Sequence, residues 1–176
     1  MTPVIDSLER WTARVGRLVS WLTLLMVLVT FLIVMLRYVF DTGWIAMQES
    51  VLYMHGLVFM LGAAYALGRD AHVRVDIFYR RWGPRGRALT DLLGTLLLLM
   101  PSCVFILWVG WDYVAGSWAV REGSREAGGL PGVFLYKGLL LVMPALLILQ
   151  GVAWAARAAL VLSGRVAGAA DEVPPS

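Results

Sequence analysis

Four stretches of this chain carry no Asp, Glu, Lys or Arg: Leu18 to Leu36, Ser50 to Leu67, Leu92 to Trp111 and Gly138 to Ala156. A helical crossing of a bilayer takes about 20 predominantly apolar residues, so each run is long enough to span. Hydrocarbon offers no water to backbone N–H and C=O groups, which leaves only helices or a closed barrel. The runs are continuous in Leu, Val and Met rather than alternating apolar with polar, so they read as helices and not as barrel strands. Composition agrees: 60% of the 176 residues are hydrophobic and 15% charged, against roughly 45–50% and 25% in a soluble domain. Soluble enzymes and disordered chains are excluded on this ground. Nucleic-acid binding is excluded as well, because the net charge of +3 comes from 15 cations dispersed between apolar runs. The expected fold class is therefore all-α integral membrane, with four transmembrane helices.

The first run follows Arg10, Arg14 and Arg17 as a secretory signal would, but it exceeds the usual apolar core of about 7–15 residues. The segment after it, Arg37-Tyr38-Val39-Phe40-Asp41, offers no small-residue cleavage site. It is expected to remain as a helix. Cys103 is the only cysteine and lies inside an apolar run, so neither a disulfide framework nor a thiolate metal cluster can be built.

Cations set the direction. Arg10, Arg14 and Arg17 precede the first span, Arg69, Arg74, Arg80, Arg81, Arg85 and Arg87 lie between the second and third, and Arg157 and Arg165 follow the fourth. These eleven face only four on the other side, Arg37, Arg121, Arg125 and Lys137. Both termini are expected to be cytoplasmic. Tyr38, Trp44, Trp108, Trp111, Tyr113, Trp118 and Tyr136 supply an aromatic belt at the outer interface.

The connections differ in kind. Arg37 to about Gln48 is short and makes helices 1 and 2 a hairpin. Between helices 2 and 3, Val75, Phe78, Tyr79 and Trp82 recur at i, i+3, i+4 and i+7, with Asp76 and Arg80 an i,i+4 pair. This pattern predicts a short amphipathic helix lying on the inner leaflet over about 72–82, stopped by Gly83-Pro84; an irregular basic loop is the alternative. The glycine-rich segment from Val120 to Pro131 reads as an exposed outer loop. One membrane domain is expected over 1–164, with spans over about 16–37, 45–67, 89–115 and 135–157, followed by a flexible tail over 165–176.

Polar residues inside a membrane are costly and need a partner or a purpose. Glu49, a turn inside the outer end of helix 2, and Arg37, at the end of helix 1, are placed to pair across the hairpin. His55 lies near the middle of helix 2. A haem held by two histidines is excluded within the chain, since His72 is 17 residues further along, about 25 Å in a helix; a hydrogen bond from His55 to a neighbouring helix is the expected role. Asp91 and Asp112 flank helix 3 at opposite interfaces, and Gln150 is the one strongly polar group within helix 4. No nucleophile with a base, phosphate loop or metal-ligand spacing emerges, so neither an enzyme nor a cofactor protein is expected. Pro101 and Pro144 interrupt helices 3 and 4 but form no matched pair of broken segments, so a self-contained substrate site is not expected. Small residues four apart, Gly62 with Ala66 and Ala64 with Gly68 on helix 2, and Gly151, Ala155 and Ala159 on helix 4, allow close helix approach. They serve either this bundle or a larger partner, and a bulky side chain at Gly62 is expected to weaken assembly.

Read together, Leu36-Arg37-Tyr38-Val39-Phe40, Trp44, Gln48-Glu49, Leu61-Gly62-Ala63-Ala64, Arg69 and above all His72-Val73-Arg74-Val75-Asp76 resemble the small membrane subunit (DctQ-like small permease) of tripartite ATP-independent periplasmic (TRAP) transporters. Helices 3 and 4, the Leu130-Pro131 turn and Tyr136 fit its layout by spacing. One departure is that many members carry two acidic residues where this chain has Gln48-Glu49. The resemblance implies a sodium-driven importer of an organic acid anion, in which a periplasmic solute-binding protein captures the anion and a large membrane subunit moves it by an elevator-type motion. The small subunit is then a non-catalytic scaffold, its His72 and Asp76 fixing the turn after helix 2 or touching the large subunit. Two competing readings remain: a haem-bearing anchor of a respiratory complex, motivated by His55, and a self-contained four-helix exporter, motivated by Glu49.

Overall fold

The computed structural model describes residues 3–69, 79 and 81–164, with side chains from residue 14 onward. Four long helices account for it, and the described residues contain no strand. We number them α1 (Pro3–Val39), α2 (Ile45–Gly68), α3 (Pro84–Ala119) and α4 (Val133–Leu162). All four are long and apolar enough to cross a membrane, α1 through its Arg14–Val39 portion. The interfacial helix over 72–82 falls largely on residues outside those described, as does the tail over 165–176.

Each helix ends where local chemistry requires. Arg37 stands in the last turn of α1, where a cation complements the helix dipole. The amides of Phe40 and Thr42 then fold back on the Leu36 carbonyl at 3.2 and 3.0 Å, while Asp41 takes a left-handed φ of 51° that turns the chain into the hairpin. At the other end of the molecule, Gly83-Pro84 does more than stop the preceding pattern. Pro84 occupies the first turn of α3, where its missing N–H costs no helical bond, so α3 begins earlier than its charge-free run. Within α3, residues Thr95–Leu99 form a π-helical turn in which the Met100 amide reaches back to Thr95. Pro101 follows directly. It has no N–H to continue the ladder, and the widened turn absorbs the break without stopping the helix.

The core is organised around α4, which packs against α2 on one side and α3 on the other, with α1 lying against α2 at the edge of the bundle. Pro144 and Gln150 of α4 are fully buried, as are or nearly are Leu146, Gly151, Ala153 and Ala158. Lipid tails are as apolar as Leu, so helix association here rests on close van der Waals contact rather than on withdrawal from water. The contact points show it. Gly110 of α3 faces Leu140 and Leu141, and Gly151 of α4 lies under Leu99 and Met100. Gly56 of α2 lies under the Tyr136 ring, Gly68 under the Gln150 amide, and Gly16 of α1 under Tyr65. The regular spacing on α4 drifts off the core: Gly151 is buried but Ala155 is half-buried and Ala159 exposed, with Ala153 and Ala158 taking the inner positions.

Candidate functional site

Three places on the molecule gather polar chemistry, and the first is built by residues far apart in sequence. It caps the end formed by the α1–α2 hairpin and the α3–α4 connection. Here the Glu49 carboxylate of α2 accepts hydrogen bonds from the Ser124 hydroxyl and from the Leu130 amide, the latter at 2.6 Å. The loop is folded on itself to present these donors: Ser124 donates its amide to the Leu130 carbonyl at 3.0 Å and receives the Glu126 amide on its hydroxyl at 3.1 Å. Gly128, at a φ of +80°, and Gly129, so close to Ser124 that a Cβ would collide, make that turn possible. Below it Tyr53 and Tyr136 stack with centroids 4.8 Å apart.

Beside this clamp, Lys137 of α4 donates to the Glu122 carboxylate at 2.5 Å while its ammonium lies 4.2 Å from the centre of the Tyr113 ring of α3. Trp118 meets Phe134 edge to face at 5.2 Å. The Lys137 hydrogen bond holds the Glu122 carboxyl below the ordinary carboxylate range. The segment from Val120 to Pro131 is thus a folded cap tied to α2 and α4, and not only the exposed loop that its glycine content suggests.

The second cluster lies at the opposite end. The Tyr79 hydroxyl donates to Asp91 at 2.8 Å, and Arg87 donates from Nε to the carbonyls of Trp82 and Tyr79 at 3.0 and 3.3 Å with its guanidinium 5.6 Å over the Tyr79 ring. Thr95 and Gln150 are buried in the same half of the bundle. These contacts fasten the chain before α3 onto α3 itself.

The third place is a face of α2. Gln48, Leu52, His55, Phe59, Gly62, Ala66 and Arg69 recur at helical spacing along one side. Of these, Gln48, Leu52, His55, Phe59 and Arg69 are exposed, and a Cβ added at Gly62 would meet nothing within 4 Å. Among the described residues no hydrogen bond joins His55 to a neighbouring helix, contrary to expectation; its ring lies against Phe59 with centroids 6.5 Å apart. The reason is angular: α1 and α4 pack on other sides of α2, and among the described residues nothing covers this one.

Residues 26–161 match the family described as tripartite ATP-independent periplasmic transporters, DctQ component. The chain belongs to this DctQ family. It is 30% identical over 100 residues to a TRAP transporter small permease protein of Haemophilus influenzae, covering 57% of this chain and 56% of that one. It is 26% identical over 113 residues to the C4-dicarboxylate TRAP transporter small permease protein DctQ of Vibrio cholerae, covering 60% of this chain and 48% of the relative. The chain spans about half the length of these relatives. No solved structure matches it. Four apolar helices and DctQ membership together make it a multi-pass inner-membrane protein and a small TRAP permease subunit.

Against this DctQ frame the residues singled out from sequence fall into three groups. Glu49 is engaged, but with Ser124 and Leu130 instead of Arg37; the Arg37 guanidinium is exposed at the end of α1, because the hairpin turn carries it away from the α2 face on which Glu49 meets the loop. Gly62, Ala66 and Arg69 share the uncovered face, Arg69 with its guanidinium 5.6 Å over the Tyr65 ring. His72 and Asp76 lie outside the described residues. Sequence reasoning missed Ser124, Glu122 and Lys137 as bracing groups. The Gly128-Gly129 pair was the available signal, since two adjacent glycines mark a turn whose backbone must adopt an unusual path.

Proposed function

We propose that this chain is the non-catalytic scaffold subunit of a sodium-coupled TRAP-type secondary transporter that imports an organic acid anion. Its partners in this reading are the large membrane subunit, held stably, and a periplasmic solute-binding protein, met transiently. DctQ membership supports the three-part assembly, and the printed substrate class of the Vibrio cholerae relative, a C4-dicarboxylate, supports an organic acid anion. The observation that carries the scaffold role is how the intramembrane and interfacial polar groups are employed. Glu49 holds a loop, Lys137 holds Glu122, and Gln150 is sealed at 0% exposure against Gly68. Each braces one element against another, as a rigid support requires. Cation asymmetry supports an orientation with both termini, and the α2–α3 connection with His72 and Asp76, on the cytoplasmic side and the Glu49 clamp on the periplasmic side. In this reading His72 and Asp76 fix the turn after helix 2 or touch the large subunit.

The test is reconstitution. Proteoliposomes holding this chain and the large subunit, supplied with the binding protein and a sodium gradient, are expected to accumulate a dicarboxylate. Omission of this chain is expected to reduce uptake, and this chain alone is expected to move nothing. Sodium-driven uptake by the chain alone would overturn the scaffold role.

A further inference from the structure

Every span here has an outward apolar side, so exposure alone distinguishes no face. His55 does. Among the described residues it is the only imidazole, carboxylate, amide or guanidinium group that lies exposed in the middle third of a span. It sits about 15 Å along α2 from Ile45 and about 20 Å from Gly68, too deep for a short imidazole to reach either interface. Hydroxyl groups exposed on α1 meet the problem within their own helix, Ser20 donating to the Arg17 carbonyl and Thr30 to the Met26 carbonyl, both at 2.7 Å. Among the described residues His55 makes no such bond; its ring lies against Phe59 instead. A neutral imidazole in hydrocarbon carries one donor and one acceptor that lipid tails cannot satisfy. The surroundings of His55 are shaped for a helix: Leu52 and Phe59 project one turn to either side, 54% and 67% exposed, and two turns along Gly62 leaves open space where a partner backbone can come close. Gln48 extends the same line to the end of the span with a second group able to hydrogen-bond.

We propose that the α2 stripe Gln48, Leu52, His55, Phe59 and Gly62 is the seat of a transmembrane helix of the large subunit, and that this helix carries a hydroxyl, amide or carboxyl side chain hydrogen-bonded to His55 at mid-membrane. The proposal rests on the reading of this chain as the small subunit of a three-part transporter and adds where, and by what chemistry, the two membrane subunits meet.

Three variants and one cross-link test it, with the tagged chain co-expressed with the large subunit. His55→Leu keeps the bulk and removes the hydrogen bonds, and is expected to weaken co-purification of the large subunit about tenfold, the size of one interhelical hydrogen bond. His55→Gln is expected to restore most of it. Gly62→Leu blocks close approach and is expected to weaken it as well, while the chain's own melting temperature stays unchanged. For variants that fail to fold, p-benzoylphenylalanine in place of Phe59 supplies a separate readout: light is expected to join this chain to the large subunit. An adduct with a second copy of this chain, or with lipid only, would overturn the proposal, as would full retention of the large subunit by both His55→Leu and Gly62→Leu. Should the unmodified chain fail to hold the large subunit at all, the scaffold reading itself falls, so the two failures are distinguishable.

Discussion

α2 carries small residues on two sides, and the two sides have opposite fates. Gly56, Ala64 and Gly68 face α4, with Ala64 1% exposed and the Tyr136 ring and Gln150 amide pressed onto the two glycines. Gly62 and Ala66, spaced four apart in the pattern that most readily suggests a helix contact, are only half-buried, and a Cβ at Gly62 would meet nothing within 4 Å among the described residues. Spacing shows that a backbone can be approached. What approaches it is decided by large side chains elsewhere, here Tyr136 and Gln150 of α4, which no local pattern on α2 encodes.

The contrast can be broken most severely at Gly56. A Leu there must displace the Tyr136 ring, and we expect Gly56→Leu to cost about 3 kcal/mol of stability, read as loss of folded protein in detergent or a lowered melting temperature. Glu49→Ala tests the rim of the same packed side: the Ser124 hydroxyl and Leu130 amide lose their acceptor, the cap is released, and tryptic cleavage after Arg121 and Arg125 is expected to accelerate while the helices stay intact. A smaller effect comes from Glu122. Its carboxyl titrates lower in the folded chain than in the unfolded one, so the Lys137 bond contributes stability that is present above the ordinary carboxylate value and lost as pH falls through the folded value. Protection of the cap from an acid-tolerant protease is therefore expected to decline below about pH 4.5, and Glu122→Gln is expected to flatten that decline. Least of all, Gly62→Leu in the isolated chain is expected to change stability by under about 0.5 kcal/mol. A large loss there would mean that the two sides of α2 are not different after all.

How far the sequence could be read follows the range of the physics involved. The four spans were legible because an apolar run in lipid has one way to satisfy its backbone, and that constraint acts within the run. The hairpin of helices 1 and 2 was legible for the same reason, since only Phe40 to Trp44 separates them. The span expected over about 89–115 lies inside α3, but the start of the helix at Pro84 was not legible, because Gly83-Pro84 reads equally as an end or a beginning. The partner of Glu49 was not legible at all. Ser124 and Leu130 stand 75 and 81 positions away, whereas Arg37 was close in sequence and opposite in charge. The role of His55 was half legible: its cost was plain, but whether a neighbouring helix of this chain or of another answers it depends on which side of α2 is covered.

The central place of α4 bears on how the protein is made. A ribosome delivers α1 and α2 first, and these can settle against each other as soon as both have entered the membrane. α3 comes next with its main contacts still unsynthesised, because the surface it packs on belongs to α4. During translation it must therefore wait as a loosely held span, and the insertion of α4 completes both contacts together. A nascent chain stalled before Val133 would leave α3 without its principal neighbour, the form a membrane quality-control protease is suited to remove.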